Sequence, residues 1–187
     1  MIALARSLMV EVGTKGAYNF RGRTVRPKIP KVLIVEDDPG IRTLLIAALK
    51  REPLELEVAC DGVDALKMAR ATRHAVILLD LMLPRMTGPE FLVAFRKARP
   101  EADPVILVMT AGDESQIGKL APHAVHAVIR KPFDIKFLVE MVRDCAQLKV
   151  SQESRELEAS LSATTPGPAN DGLADDKSTI DPVFGLN

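Results

Sequence analysis

The chain has 187 residues, 47% hydrophobic and 27% charged, with 25 basic side chains against 25 acidic ones. That length and apolar content suit one packed domain with extensions and exclude a disordered chain; the neutral balance excludes a general polyanion-binding surface. Cys60 and Cys145 lie far apart without metal-type spacing, which excludes a disulfide scaffold or zinc site and leaves them as small buried or half-buried apolar residues.

Residues 1–30 lack periodicity, carry a basic excess and are broken by Gly22, Pro27 and Pro30, so they read as a flexible N-terminal extension. The Met1–Ala5 run is cut by Arg6, and no apolar run reaches the ~18 residues a bilayer needs, so the expected location is cytoplasmic. The packed region is expected over residues 31–148. Strand 31–35 leads into a helix starting at Pro39, with Asp38 as N-cap and Ile41, Leu44, Leu45, Ala48 and Leu49 facing inward. A shorter, more exposed strand near Leu54–Val58 precedes a helix opened by Asp61-Gly62 and carrying Val63, Leu66 and Ala69. Strand 75–79 is followed, after Gly88-Pro89, by a helix with Phe91, Leu92 and Phe95. Strand 105–109, a short polar helix near Glu114–Leu120 and strand 124–129 come next. The last helix begins after Pro132, with Phe133, Phe137, Leu138, Met141, Val142 and Cys145 on its inner face. Residues 149–187 shift to Ser, Glu, Pro, Asp and Gly and read as an acidic disordered tail. Five βα units with near-continuous apolar strands predict a doubly wound α/β fold around a five-stranded parallel sheet.

The strands share an ending. Val32–Val35 runs into Glu36 and Asp37, Ala75–Leu79 into Asp80, Val105–Met109 into Thr110, and Ala127–Ile129 into Arg130 and Lys131. In an open parallel sheet those ends meet along one edge, where ligands bind. Adjacent acids after a buried strand are costly unless a cation neutralises them, and magnesium prefers oxygen ligands. Glu36, Asp37 and Asp80 are therefore candidate Mg2+ ligands. Lys131 can pair with Asp80 or with phosphoryl oxygens, and the Thr110 hydroxyl can bind a phosphoryl oxygen.

Taken with Asp61-Gly62-Val63-Asp64-Ala65-Leu66, Leu79-Asp80-Leu81-Met82-Leu83-Pro84-Arg85-Met86-Thr87-Gly88, Met109-Thr110-Ala111 and Lys131-Pro132-Phe133, residues 31–148 resemble the receiver domain of the two-component response-regulator family. The resemblance implies a flavodoxin-like sheet of order 2-1-3-4-5. It makes Asp80 the phosphoacceptor, served by a sensor histidine kinase or phosphotransfer protein. It adds the Met82 backbone carbonyl to the Mg2+ ligands, assigns Thr110 and Lys131 to the phosphoryl oxygens, and favours a cis peptide before Pro132. Such a protein is no conventional enzyme; it promotes its own phosphorylation and dephosphorylation. With no output domain following, the expectation is a stand-alone receiver that acts on a downstream protein target. Neither DNA nor a membrane is an expected partner, and dimerisation on phosphorylation stays open.

Two positions depart from the family pattern. Val128 stands where an aromatic switch residue is usual, three before Lys131, and His123 and His126 interrupt the stretch before it. Without a third ligand nearby, the two histidines read as chance surface residues. The alternative reading is a receiver-like interaction module that does not cycle phosphate. A dinucleotide-binding fold is excluded because acids stand where glycines should follow the first strand.

Overall fold

Five short apolar segments pair side by side as strands β1 (Lys31–Val35), β2 (Glu55–Ala59), β3 (Val76–Asp80), β4 (Val105–Thr110) and β5 (Ala127–Arg130). The computed structural model describes residues 18–20, 23–25, 28–112, 117, 118, 120 and 125–163. All neighbours are parallel, in the order β2-β1-β3-β4-β5. β3 is buried along its whole length, while β2 and β5 form the edges and are only partly covered.

Alternate side chains leave a strand on opposite faces, so the sheet serves two cores. Leu33, Val35, Ile77, Leu79, Ile106 and Val108 face α2 (Gly62–Ala71) and α3 (Gly88–Ala98), which bring Ala65, Ala69, Phe91, Leu92 and Phe95. The Phe91 and Phe95 rings stack with centroids 5.8 Å apart. On the other face Val32, Ile34, Val76, Leu78, Leu107 and Met109 meet α1 (Pro39–Leu49) and α4 (Ile135–Ala163) through Leu45, Leu49, Leu138, Val142 and Ala146.

Each of the first three helices starts on a side-chain cap that satisfies otherwise orphaned N–H groups. Asp38 accepts from the Ile41 N–H at 2.7 Å, and Asp61 from Val63 and Asp64 at 2.9 Å each. Thr87 and Glu90 form a reciprocal capping box.

Several expectations need correction. Leu44 and Phe137 are 49% and 56% exposed; the helix stripes that reach the sheet run through Leu45 and Leu49, and through Leu138, Val142 and Ala146. Cys60 is exposed, because it follows the last residue of an edge strand, whereas Cys145 is half-buried. Residues 18–20 and 23–25 pair as two short antiparallel strands within the segment expected to be irregular; Tyr18, Phe20, Thr24 and Val25 are aromatic or β-branched strand formers. α4 runs to Ala163, well past residue 148. Gln152, Glu153, Arg155, Glu156 and Ala159 are good helix formers, and no Gly or Pro interrupts them before Pro166. β5 starts at Ala127 rather than 124, and the short helix expected near Glu114–Leu120 lies mostly outside the described residues, as does His123. Among the described residues no helix is long and apolar enough to cross a membrane.

Candidate acidic site at the carboxyl edge of the sheet

Because every strand points the same way, all five end along one edge. β1 lies between β2 and β3, so the chain reverses its order of strand addition there, and the crevice at such a point is where open α/β sheets bind ligands. Val35 pairs with Leu79, which sets Glu36 beside Asp80; Asp80 pairs with Met109 and Thr110 with Arg130. The register therefore gathers Glu36, Asp80, Thr110 and Lys131 into adjacent positions. Gly88 lets the chain fold back closely over this edge, since a Cβ there would lie 2.7 Å from the Asp80 carbonyl oxygen.

Glu36 and Thr110 are fully buried and Asp80 is 4% exposed, while Asp37 faces solvent. One carboxylate oxygen from each of Glu36, Asp37 and Asp80 falls within 4.8 Å of the other two. The Lys131 ammonium stands among them, donating to Glu36 Oε2 at 2.7 Å and forming a short ion pair with Asp80 Oδ2. The other Asp80 oxygen accepts from the Met82 N–H at 3.0 Å. The Lys131 N–H donates to the Thr110 carbonyl at 2.8 Å, and the peptide between Lys131 and Pro132 is cis. The Thr110 hydroxyl oxygen accepts from the Gly112 N–H at 2.8 Å.

These contacts shift the ionisations. Burial, joined by the Asp80 charge, raises the Glu36 carboxyl above its ordinary 4.5 despite the opposing pull of Lys131. Burial works to lower Lys131, but its hydrogen bonds to Asp80 and Glu36 outweigh it and hold the ammonium above 10.5. Three carboxylates facing one ammonium leave a surplus of negative charge in a half-closed pocket. Its donors are all oxygen, the set a hard divalent cation such as Mg2+ prefers.

Glu36, Asp37, Asp80 and Lys131 converge here with Thr110 beside them, and Met82 joins the site through its N–H on Asp80. Two arginines near this edge were missed. Arg42, on the first turns of α1, donates through Nη1 to the main-chain carbonyls of Glu36 at 3.0 Å and Asp37 at 2.9 Å. Its position one turn after the acidic run is the signal that could have found it. Arg85, in the loop after Asp80, pairs with Asp61 and Asp64; nothing local in the sequence links it to residues more than twenty positions back. His126 is no idle surface residue: its Nδ1 accepts the Ile106 N–H at 3.0 Å, and its own N–H donates to the Ile106 carbonyl at 2.9 Å. Val128 is 37% exposed on β5.

A family model described as the response regulator receiver domain matches residues 32–143. The chain is similar to the transcriptional regulatory protein SrrA of Staphylococcus aureus (strain NCTC 8325), with 34% identity over 113 residues, 60% of this chain and 46% of that protein. It thus spans about half the length of the curated relatives it matches. Among solved structures it is similar to the response regulator TrrA of Thermotoga maritima in complex with Mg2+-BeF, at 29% identity and a TM-score of 0.54 over 62% of this chain and 98% of that one. The chemotaxis response regulator CheY4 of Vibrio cholerae gives 29% identity and a TM-score of 0.56 over 63% and 99% of the two chains.

Proposed function

The chain belongs to the response regulator receiver family through residues 32–143, and on that premise we propose that Asp80 accepts a phosphoryl group from a histidine kinase or phosphotransfer protein. The observation that carries this reading is the Lys131 ammonium bridging Asp80 to buried Glu36 beside a third carboxylate. A carboxylate oxygen of Asp80 attacks phosphorus while the bond from phosphorus to the donor's imidazole nitrogen breaks, and the imidazole departs with that electron pair. Such transfers need little covalent help from the protein; positioning and neutralisation of charge dominate. Lys131 already sits on Asp80 and is placed to follow the charge onto the phosphoryl oxygens. The Thr110 hydroxyl accepts one hydrogen bond and keeps its own proton to donate to the incoming group. Glu36, Asp37, Asp80 and the Met82 carbonyl would hold Mg2+. When bound, the ion offsets the negative charge shared by the acceptor carboxylate and the phosphoryl group.

The readout is proposed to be a phosphorylation-dependent contact with a downstream protein. Val128 at the usual aromatic position speaks for a mode of readout without a rotating ring. Incubation with acetyl phosphate and Mg2+, followed by intact mass and hydroxylamine lability, tests the reading. Wild-type protein should gain one acyl phosphate and Asp80→Asn none. An unlabelled wild type, or an equally labelled Asp80→Asn, refutes it, and an unlabelled wild type would favour the non-cycling interaction module.

A further inference from the structure

The loop between β3 and α3 is held by contacts that the phosphoryl chemistry itself does not use. Pro84, Arg85 and Met86 form a tight turn in which the Met86 N–H donates to the Pro84 carbonyl at 2.7 Å, with Arg85 at its centre at φ 63°. That hand of γ-turn is rare and strained for a residue bearing a Cβ. From this turn the Arg85 guanidinium crosses to the start of α2. Its Nη2 pairs with Asp61 and lies 2.8 Å from Asp64 Oδ2. Asp61 is a fixed anchor, because its other oxygen already caps α2. Gly62 permits the approach: a Cβ there would sit 2.1 Å from the Met86 carbonyl oxygen. At the loop's base the Gly88 N–H donates to the Leu81 carbonyl at 3.0 Å, and at its inner side the Met82 N–H holds Asp80 Oδ1 at 3.0 Å.

Asp61 is largely buried, but the Arg85 and Asp64 side chains are 51% and 47% exposed, so solvent screens the tie and it adds little to global stability. Its effect is local. A turn that is unfavourable in itself persists where surrounding contacts over-determine it, and here the tie to α2 does so. We propose that Arg85 is a positioning residue for the acidic pocket: by fastening the strained turn to the N-terminus of α2, it sets the Met82 main chain against Asp80. The proposal rests on the Mg2+-dependent phosphoacceptor reading above.

Glycine adopts positive φ without steric cost, so Arg85→Gly keeps the turn accessible while removing the tie. Arg85→Lys keeps a cation, and Asp64→Asn weakens the tie without touching the cap. In metal-free protein, Arg85→Gly should unfold within about 2 °C of wild type, yet the amides of Met82 and Met86 should exchange faster. Calorimetric titration with Mg2+ should show the dissociation constant of Arg85→Gly raised about fivefold, the size of a typical coupling between contacting groups. Saturating Mg2+ should restore the acetyl phosphate labelling rate, Arg85→Lys should recover most of the affinity, and Asp64→Asn should fall between. Wild-type affinity and wild-type amide exchange in Arg85→Gly overturn the proposal. A loss of affinity that only tracks a lowered unfolding temperature and resists rescue by lysine overturns it too. Wild-type protein that takes up no Mg2+ refutes the functional reading and this proposal together, whereas wild-type uptake that Arg85→Gly leaves unchanged refutes this proposal alone.

Discussion

Replacing Lys131 with alanine removes the one ammonium that, among the described residues, stands between Glu36 and Asp80. The Lys131, Glu36 and Asp80 side chains are 13%, 0% and 6% exposed, so the ion pairs are largely withdrawn from solvent. Deleting one partner of such a pair costs about 3–5 kcal/mol, because the remaining charge stays buried without compensation. Two features of this pocket reduce that figure. Glu36 is already predisposed to hold a proton, and solvent-facing Asp37 admits water to one side. The expected loss in metal-free buffer near neutral pH is therefore about 2–3 kcal/mol, or about 10 °C in unfolding temperature for a domain of this size. The chain has no Trp and one Tyr, so urea unfolding followed by far-ultraviolet circular dichroism is the suitable assay. Lys131→Met, which retains an aliphatic stem, separates lost charge from lost packing. Mg2+ should recover part of the loss by supplying the missing positive charge. A loss below about 0.5 kcal/mol, within the range of an ordinary surface substitution, would refute the reasoning, as would a deficit unchanged at saturating Mg2+.

The raised Glu36 carboxyl and the stacked phenylalanines each have a measurable consequence. A carboxyl whose folded pKa is raised binds its proton more tightly in the native state, so Glu36 adds stability as pH falls from its raised value towards 4.5 and subtracts it as pH rises through that value. Metal-free wild type should thus gain on Glu36→Gln as pH is lowered from 7 to 5, and a flat difference between their unfolding free energies would count against this assignment. Phe95→Ala removes one of two stacked, fully buried rings and should cost about 3–5 kcal/mol in urea unfolding; a cost under 1 kcal/mol would mean the α2–α3 core collapses around the gap.

The parts of this molecule that could be read from the chain are those in which residue type and position act together. Asp38-Pro39 announces a helix start, and α1 begins there. Apolar runs that stop on Glu36, Asp80 and Thr110 mark strand ends, and parallel pairing carries them to one edge without further information. What could not be read depends on contacts between distant segments. Whether Phe137 or Leu138 faces the sheet is decided by helix placement, since both are equally apolar. The ring of His126 closes a strand edge only because Ile106 lies beside it. Arg42 works through main-chain atoms and stands one turn after the acidic run, a faint local signal, whereas Arg85 works through another helix and nothing near it in the chain signals that. The extent of α4 was obscured by composition: Ser and Glu read as a solvated tail, yet the same residues tolerate helix once Ile135 to Ala146 have nucleated it on the sheet.

That helix has a mechanical consequence. Its 29 residues span about 44 Å. Leu138, Val142 and Ala146 root it in the core, Lys149 ties it to Asp103 at 2.6 Å, and Glu153 meets Lys28 at 2.7 Å. Beyond that point Ser154, Arg155, Glu156 and Ala159 are exposed. A rod clamped at one end is a lever: tilting it by about 5° at Glu153 sweeps Ala163, about 15 Å further on, through about 1.3 Å. Small rearrangements at the sheet are thereby delivered, enlarged, to a surface well away from the carboxylates.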